Sequence, residues 1–266
     1  MALKIAVSGK GGVGKTTVAG ILARLIGREG KDILVLDADP ASNLASAIGI
    51  PNSVSSQITP LSKMLDMIEE RTGVKPGSGY GGMFKMNPKV DDLAEKFAIE
   101  GKDGVQLLVL GTIKTGGEGC FCPESALLKS LLKHLVLEEN QYLIMDMEAG
   151  LEHLGRGSSK HMDVMIIVVE PGMRSVDIAV TIKGLAKEIG IKNVLAVINK
   201  VHSKEASIIV KERLRDNDIQ VLAVIPFNTV LVEADLRGIS PMDIEGAEDV
   251  VAEISKMRGT LESLED

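Results

Sequence analysis

Gly9-Lys10-Gly11-Gly12-Val13-Gly14-Lys15-Thr16-Thr17 fits the pattern G-x-x-x-x-G-K-[ST] of a phosphate-binding loop, or P-loop. The chemistry dictates the residue types. Glycines reach the positive φ values that turn consecutive N–H groups toward phosphate oxygens. Lys15 stands where such a loop's lysine reaches the β- and γ-phosphates, and Thr16 where its hydroxyl meets Mg²⁺. Gly11, Gly12, Val13, Gly14 and Thr17 are the remaining nucleotide-binding candidates of the cradle. The pattern needs a strand before it and a helix after it, so that the helix N-terminus faces the anion. Both are present: Lys4–Ser8 is an apolar run, and Lys15–Arg28 has helical periodicity.

Outward from the loop, short β-branched runs alternate with helical patterns. Strands are predicted at Lys4–Ser8, Ile33–Asp37, Val105–Leu110, Tyr142–Asp146, Val164–Glu170, Asn193–Asn199 and Val221–Pro226. Continuous rather than alternating hydrophobicity marks strands covered on both faces. Helices are predicted at Lys15–Arg28, Leu61–Arg71, Pro123–Leu137, Val176–Ile189, Ser203–Asp216 and Val250–Glu262. This rhythm is that of an α/β, doubly wound, mostly parallel sheet of about seven strands with helices on both faces. The chain 1–266 reads as one domain, with a glycine-rich insertion near 73–90 that breaks the rhythm.

Composition narrows the function classes. Thirty Lys and Arg against 37 Asp and Glu give a net charge of −7, which counts against a general nucleic-acid binder. With no Trp, two Tyr and four Phe, no stacking platform for single strands is expected. No apolar run approaches the ~20 residues of a membrane span. The first residues run directly into the glycine loop, so a cytoplasmic protein is expected. The four histidines, His134, His153, His161 and His202, form no close pair and read as packing or surface residues.

Carboxylates follow two of the apolar strands. Asp37-Ala38-Asp39-Pro40 ends the second strand, and Asp146-Met147-Glu148-Ala149-Gly150 ends another. At the C-terminal edge of a parallel sheet such groups overlie the ligand crevice. Asp146 has the Walker B placement and would hold Mg²⁺ through water. Asp39 has a plainer reading as an N-cap for a helix near 41–48. Asn199-Lys200 and Pro226-Phe227-Asn228 close two later strands; Asn and Pro at such positions also serve as simple punctuation.

The two cysteines, Cys120 and Cys122, flank Phe121 in Gly116-Gly117-Glu118-Gly119-Cys120-Phe121-Cys122-Pro123-Glu124. Pro123 suits the first helical position, which puts Cys122 at the cap, where thiols ionise more readily. Two thiolates leave a tetrahedral site half filled. A two-fold axis through the ion would complete a Cys₄ site from two subunits and couple metal binding to dimerisation. A buried packing pair and a strained disulfide are the other readings.

The run Lys10-Gly11-Gly12-Val13-Gly14-Lys15-Thr16-Thr17 resembles the deviant Walker A of the MinD/nitrogenase-iron-protein/ArsA superclass of dimeric ATPases. That resemblance implies a catalytic role for Lys10 on the partner's γ-phosphate, and for Asp39 in positioning the attacking water. It implies a γ-phosphate contact from the Gly150 N–H, and an adenine pocket at Asn199, Lys200, Pro226 and Phe227. Many members have D-T-P-x-G where this chain has Asp146-Met147-Glu148-Ala149-Gly150. Together with the C-x-C segment and Asp146–Gly157, the sequence is similar to CooC-type proteins, the nickel-insertion ATPases that mature carbon monoxide dehydrogenase, including the acetyl-CoA synthase-linked kind. The implied activity is Mg²⁺-dependent hydrolysis of ATP to ADP and phosphate by a homodimer. Ni²⁺ or Zn²⁺ would sit on Cys120 and Cys122 of both subunits, and carbon monoxide dehydrogenase would be the client. An iron–sulfur cluster carrier or electron-transfer ATPase is the alternative, and a MinD/ParA-like positioning ATPase a third.

Overall fold

A computed structural model describes residues 2–39, 43–76, 84–111, 123–137, 140–148 and 162–263. Its centre is one eight-stranded sheet. The strands are β1 (Lys4–Ser8), β2 (Ile33–Asp37), β3 (Ile99–Glu100), β4 (Gln106–Val109), β5 (Tyr142–Asp146), β6 (Val164–Val169), β7 (Asn193–Val201) and β8 (Gln220–Pro226). Their order is β3-β4-β2-β5-β1-β6-β7-β8. Every pairing is parallel except β3 with β4.

The helices are α1 (Lys15–Arg28), α2 (Leu44–Ala47), α3 (Asn52–Ser55), α4 (Leu65–Thr72), α5 (Leu93–Phe97), α6 (Pro123–Leu137), α7 (Met173–Ile189), α8 (Lys204–Asp216), α9 (Thr229–Arg237) and α10 (Glu248–Glu262). The sheet's side-chain alternation divides each strand between two cores. Ala6, Leu34, Leu36, Leu143, Met145 and Ile167 pack with α4, α6, α7 and α8. Ile5, Val7, Val35, Ile144, Ile166 and Val168 pack with α1, α2 and α10. Strands buried on both sides therefore read as unbroken apolar runs, as the sequence predicts.

Among the described residues the sheet has eight strands, against about seven predicted. The extra one, β3, has two residues, too few for a period to register. The predicted helix Leu61–Arg71 is a 3₁₀ turn at Leu61–Lys63 followed by α4, because Met64 leaves helical geometry (φ −81°, ψ 72°). α9 was not predicted; Asn228 caps it by accepting from Val230 N at 2.8 Å. Within 73–90, residues 77–83 lie outside the described ones. The flanks of the insertion are tied, Lys85 N donating to Thr72 O at 2.8 Å and Arg71 pairing with Asp92 at 2.7 Å. No helix among the described residues is long and apolar enough to cross a membrane.

Parallel pairing has one consequence for chemistry. β1, β2, β5, β6, β7 and β8 all end at the same edge of the sheet. The glycine loop, both Asp segments, Glu170, Asn199-Lys200 and Pro226-Phe227 therefore converge there.

Candidate nucleotide site

Close approach shapes the loop. Gly9 (φ 149°) packs so tightly on β6 that a Cβ would lie 2.3 Å from Val168 O. Gly14 (φ 95°) is the residue before α1, and a Cβ there would lie 2.3 Å from Asn199 Nδ2. Neither position admits a side chain. α1 opens with no acidic residue in its first turn and no side-chain cap, which leaves its N–H groups for an anion.

Two side chains from β7 grip this loop from behind. Asn199, 4% exposed, donates from Nδ2 to Val13 O at 2.8 Å, and Lys200 donates from Nζ to Gly12 O at 2.6 Å. Lys200 holds a left-handed backbone (φ 56°) where the β7–β8 register shifts between Ile198 and Val201. A bulge beside a site commonly re-aims a side chain in this way. Holding these carbonyls leaves the loop's N–H groups available to an anion. Asn199→Ala is expected to weaken ATP binding about tenfold by titration calorimetry, because it leaves Val13 O without its buried donor. Lys200→Ala, whose bond is exposed, is expected to cost about threefold. Equal or smaller losses for Asn199→Ala would count against the gripping role.

The front of the loop carries the charges. Lys15 is 6% exposed, with Nζ 3.8 Å from Asp39 Oδ2 and 3.5 Å from Lys10 O. Thr16 donates from Oγ1 to Asp146 Oδ2 at 2.6 Å. Asp146 is buried, and its Oδ1 has no hydrogen-bond partner among the described residues. Burial raises its carboxyl to about 7, against the pull of the Thr16 hydroxyl. A desolvated carboxylate with a free lone pair beside a threonine hydroxyl is a hard oxygen donor set, which fits Mg²⁺.

Asp39 is not a helix cap, since Asn43 occupies the N-cap position of α2. The preceding carboxylate, Asp37, has a role the sequence reading left unassigned. Fully buried, it accepts from Asp39 N at 3.2 Å through Oδ1 and from Leu44 N at 3.3 Å through Oδ2. Asp37 thus ties Asp39 and the first residue of α2 to the end of β2. The apolar run ending at Asp37 was its only sequence signal. On the other side, Ser8 Oγ donates to Glu148 O at 2.8 Å and anchors the chain after Asp146.

Lys10 is 40% exposed in its side chain and pairs with Glu170 Oε1 at 2.9 Å. This partner at the end of β6 was not foreseen. Asn199, Lys200, Pro226 and Phe227 line one cavity of about 450 Å³ together with Gly14, Lys15, Thr16 and Asp39. Phe227 stacks on His202, ring centroids 4.3 Å apart. Asn228, from the same segment, is committed elsewhere, donating to Gly246 O at 2.7 Å and Asp249 Oδ1 at 2.8 Å. Gly150, Cys120 and Cys122 lie outside the described residues. No cluster of three or more His, Cys, Asp or Glu suited to a metal ion occurs among the described residues.

A phosphate cradle, two carboxylates and an adjoining cavity of nucleotide size define a P-loop nucleotide-binding ATPase. The family model for the CobQ/CobB/MinD/ParA nucleotide binding domain matches residues 4–242. The chain is 43% identical over 245 residues to the carbon monoxide dehydrogenase accessory protein CooC of Rhodospirillum rubrum, covering 92% of this chain and 91% of that one. It is 44% identical over 246 residues to an uncharacterised ATP-binding protein of Methanocaldococcus jannaschii, covering 91% and 92% respectively. Its fold is similar to that of the MinC:MinD cell division complex of Aquifex aeolicus, at a TM-score of 0.69 and 21% identity over 98% of this chain and 96% of that one. The chain belongs to the CobQ/CobB/MinD/ParA family of nucleotide-binding ATPases, as a CooC-type member.

Proposed function

We propose that this ATPase serves a carbon monoxide dehydrogenase as a nickel metallochaperone, working as a nucleotide-dependent homodimer. Its 43% identity to CooC across 92% of the chain is the observation that carries the client and the task. The ATP site supplies the energy source. In this reading Lys15 and the α1 N-terminus bind the phosphates. Thr16 and Asp146 would hold Mg²⁺, which would supply neutralisation of phosphate charge. Asp39 orients the attacking water, and the Gly150 N–H meets the γ-phosphate. The cavity wall at Pro226 and Phe227 seats the base.

Lys10 crosses to the partner's γ-phosphate, so hydrolysis removes the group that joins the subunits. Cys120 and Cys122 of both subunits bind the cargo, Ni²⁺ or Zn²⁺, as a Cys₄ site on the two-fold axis. Loosening the dimer then opens that site toward the client.

Ligand counting gives the test. Anaerobic protein is loaded with Ni²⁺, with Zn²⁺, or with iron and sulfide, with and without ATP. Metal and sulfide are then measured per chain alongside oligomeric mass. One Ni²⁺ or Zn²⁺ per dimer without sulfide is the expected result, lost in the Cys120→Ser, Cys122→Ser double variant. Metal binding that survives the double variant overturns the cysteine site. About four irons and four sulfides per dimer would move the reading to a cluster carrier.

A further inference from the structure

α1 carries a buried charge that plays no part in the phosphate chemistry. Arg24 lies nine residues beyond Lys15 and is 2% exposed. Its Nε meets Asp103 Oδ2 at 2.7 Å and its Nη1 meets Asp243 Oδ2 at 2.9 Å. The same Nη1 donates to Ser240 Oγ at 2.9 Å. Ser240, itself 1% exposed, donates in turn to Ala47 O at 2.5 Å.

The positions joined by this hydroxyl are what matter. Ala47 lines the nucleotide cavity, and so do Ile239 and Pro241, the two neighbours of Ser240. Phe227 and Leu231 line the same cavity. α1 is also pressed against α2: a Cβ on Gly20 would lie 2.6 Å from Ala47 Cβ. One guanidinium and one hydroxyl therefore tie these lining residues to α1, the helix that follows the glycine loop.

Burying an ion pair in place of apolar side chains brings little net stability, since desolvation offsets the attraction. Its planar fork does fix three partners in one geometry, which a lysine cannot do. We infer that Arg24 and Ser240 are positioning residues that set the width of the base pocket, so that ATP affinity through the base depends on them and phosphate binding does not. This rests on the proposed placement of the base beside Pro226 and Phe227.

Two ligands separate the ends of the cavity. ATP engages both, whereas inorganic tripolyphosphate engages the glycine loop alone. Binding of each is measured for the full chain, for Ser240→Ala and for Arg24→Lys. Ser240→Ala removes one hydroxyl and leaves the Arg24–Asp103–Asp243 pairs in place, so it tests the idea even if Arg24→Lys fails to fold. The expected result is a loss of about tenfold in ATP affinity for Ser240→Ala, with tripolyphosphate affinity within twofold and kcat at saturating ATP within twofold. Equal losses for both ligands overturn the inference, because they show a general disturbance of α1. So does unchanged ATP affinity. If the unsubstituted protein binds tripolyphosphate as tightly as ATP, the base placement itself fails, and that failure is visible before any variant is compared.

Discussion

Lys10→Ala is expected to lower the ATP turnover number roughly 10³-fold and to leave ATP affinity within about threefold, the behaviour of a residue that acts as an arginine finger does. Within one chain Lys10 rests on Glu170 at 2.9 Å, while Lys15 lies 3.8 Å from Asp39. Both partners are more than 30% exposed, so the Lys10–Glu170 pair contributes about 0 to 1 kcal/mol. Such a pair parks the lysine without restraining it. Accordingly, Glu170→Gln is expected to change turnover by less than about threefold, far below the effect of removing Lys10. Mixing decides where Lys10 acts. Lys10→Ala and Asp39→Ala chains are each expected to be nearly inactive alone. A mixed dimer has one site with Asp39 intact and Lys10 supplied from the other subunit. Random pairing at equal concentrations should restore about a quarter of full activity. If the mixture stays at the level of the separate variants, Lys10 does not act across a subunit boundary.

What the sequence disclosed follows from how local each cause is. The glycine loop is legible because its chemistry is confined to nine consecutive residues bounded by a strand and a helix. The strand ends at Asp37, Asp146, Asn199 and Pro226 are legible for a related reason: apolar runs stop where a parallel sheet meets its ligand. Contacts between distant segments leave no such trace. Arg24 looks like any charged residue on an amphipathic helix until Asp103 and Asp243 are brought to it. Glu170 reads as strand punctuation until Lys10 reaches it, and Asp37 hides behind the better-known role of its neighbour Asp39. Asn199 shows the intermediate case. Its type and position pointed to the nucleotide, while its amide proves to hold Val13 O of the loop. The short elements missed, β3, α3 and α5, offer two, four and five residues, too few for a strand or helical period to declare itself.

Asp146→Asn should raise the stability of the nucleotide-free protein while reducing hydrolysis at least about 100-fold. The stability change has a definite sign. Burial lifts the folded-state carboxyl from 3.8 to about 7, with the neighbouring charges of Asp37 and Asp39 adding to the rise and Thr16 and Lys15 opposing it. Below the ordinary carboxylate value both folded and unfolded chains hold the proton, and the group carries no penalty. As pH rises from about 4 to about 7 the unfolded chain ionises first, so stability falls across that window. Above it both states are ionised, and the folded one keeps a charge its surroundings solvate poorly. A shift of this size corresponds to at most about 4 kcal/mol. Asparagine has no proton to lose and can still accept from Thr16, so the variant escapes the penalty. At pH 8 its melting temperature is expected to lie roughly 5 to 10 °C above that of the unsubstituted protein, with the two converging only below about pH 4. Adding ATP and Mg²⁺ should narrow the gap, because only the carboxylate gains a cation to pair with. An equal or lower melting temperature for the variant at pH 8 would show that the buried charge is already compensated within the folded chain. The Walker B position would then be a settled structural contact rather than a strained acceptor awaiting its metal.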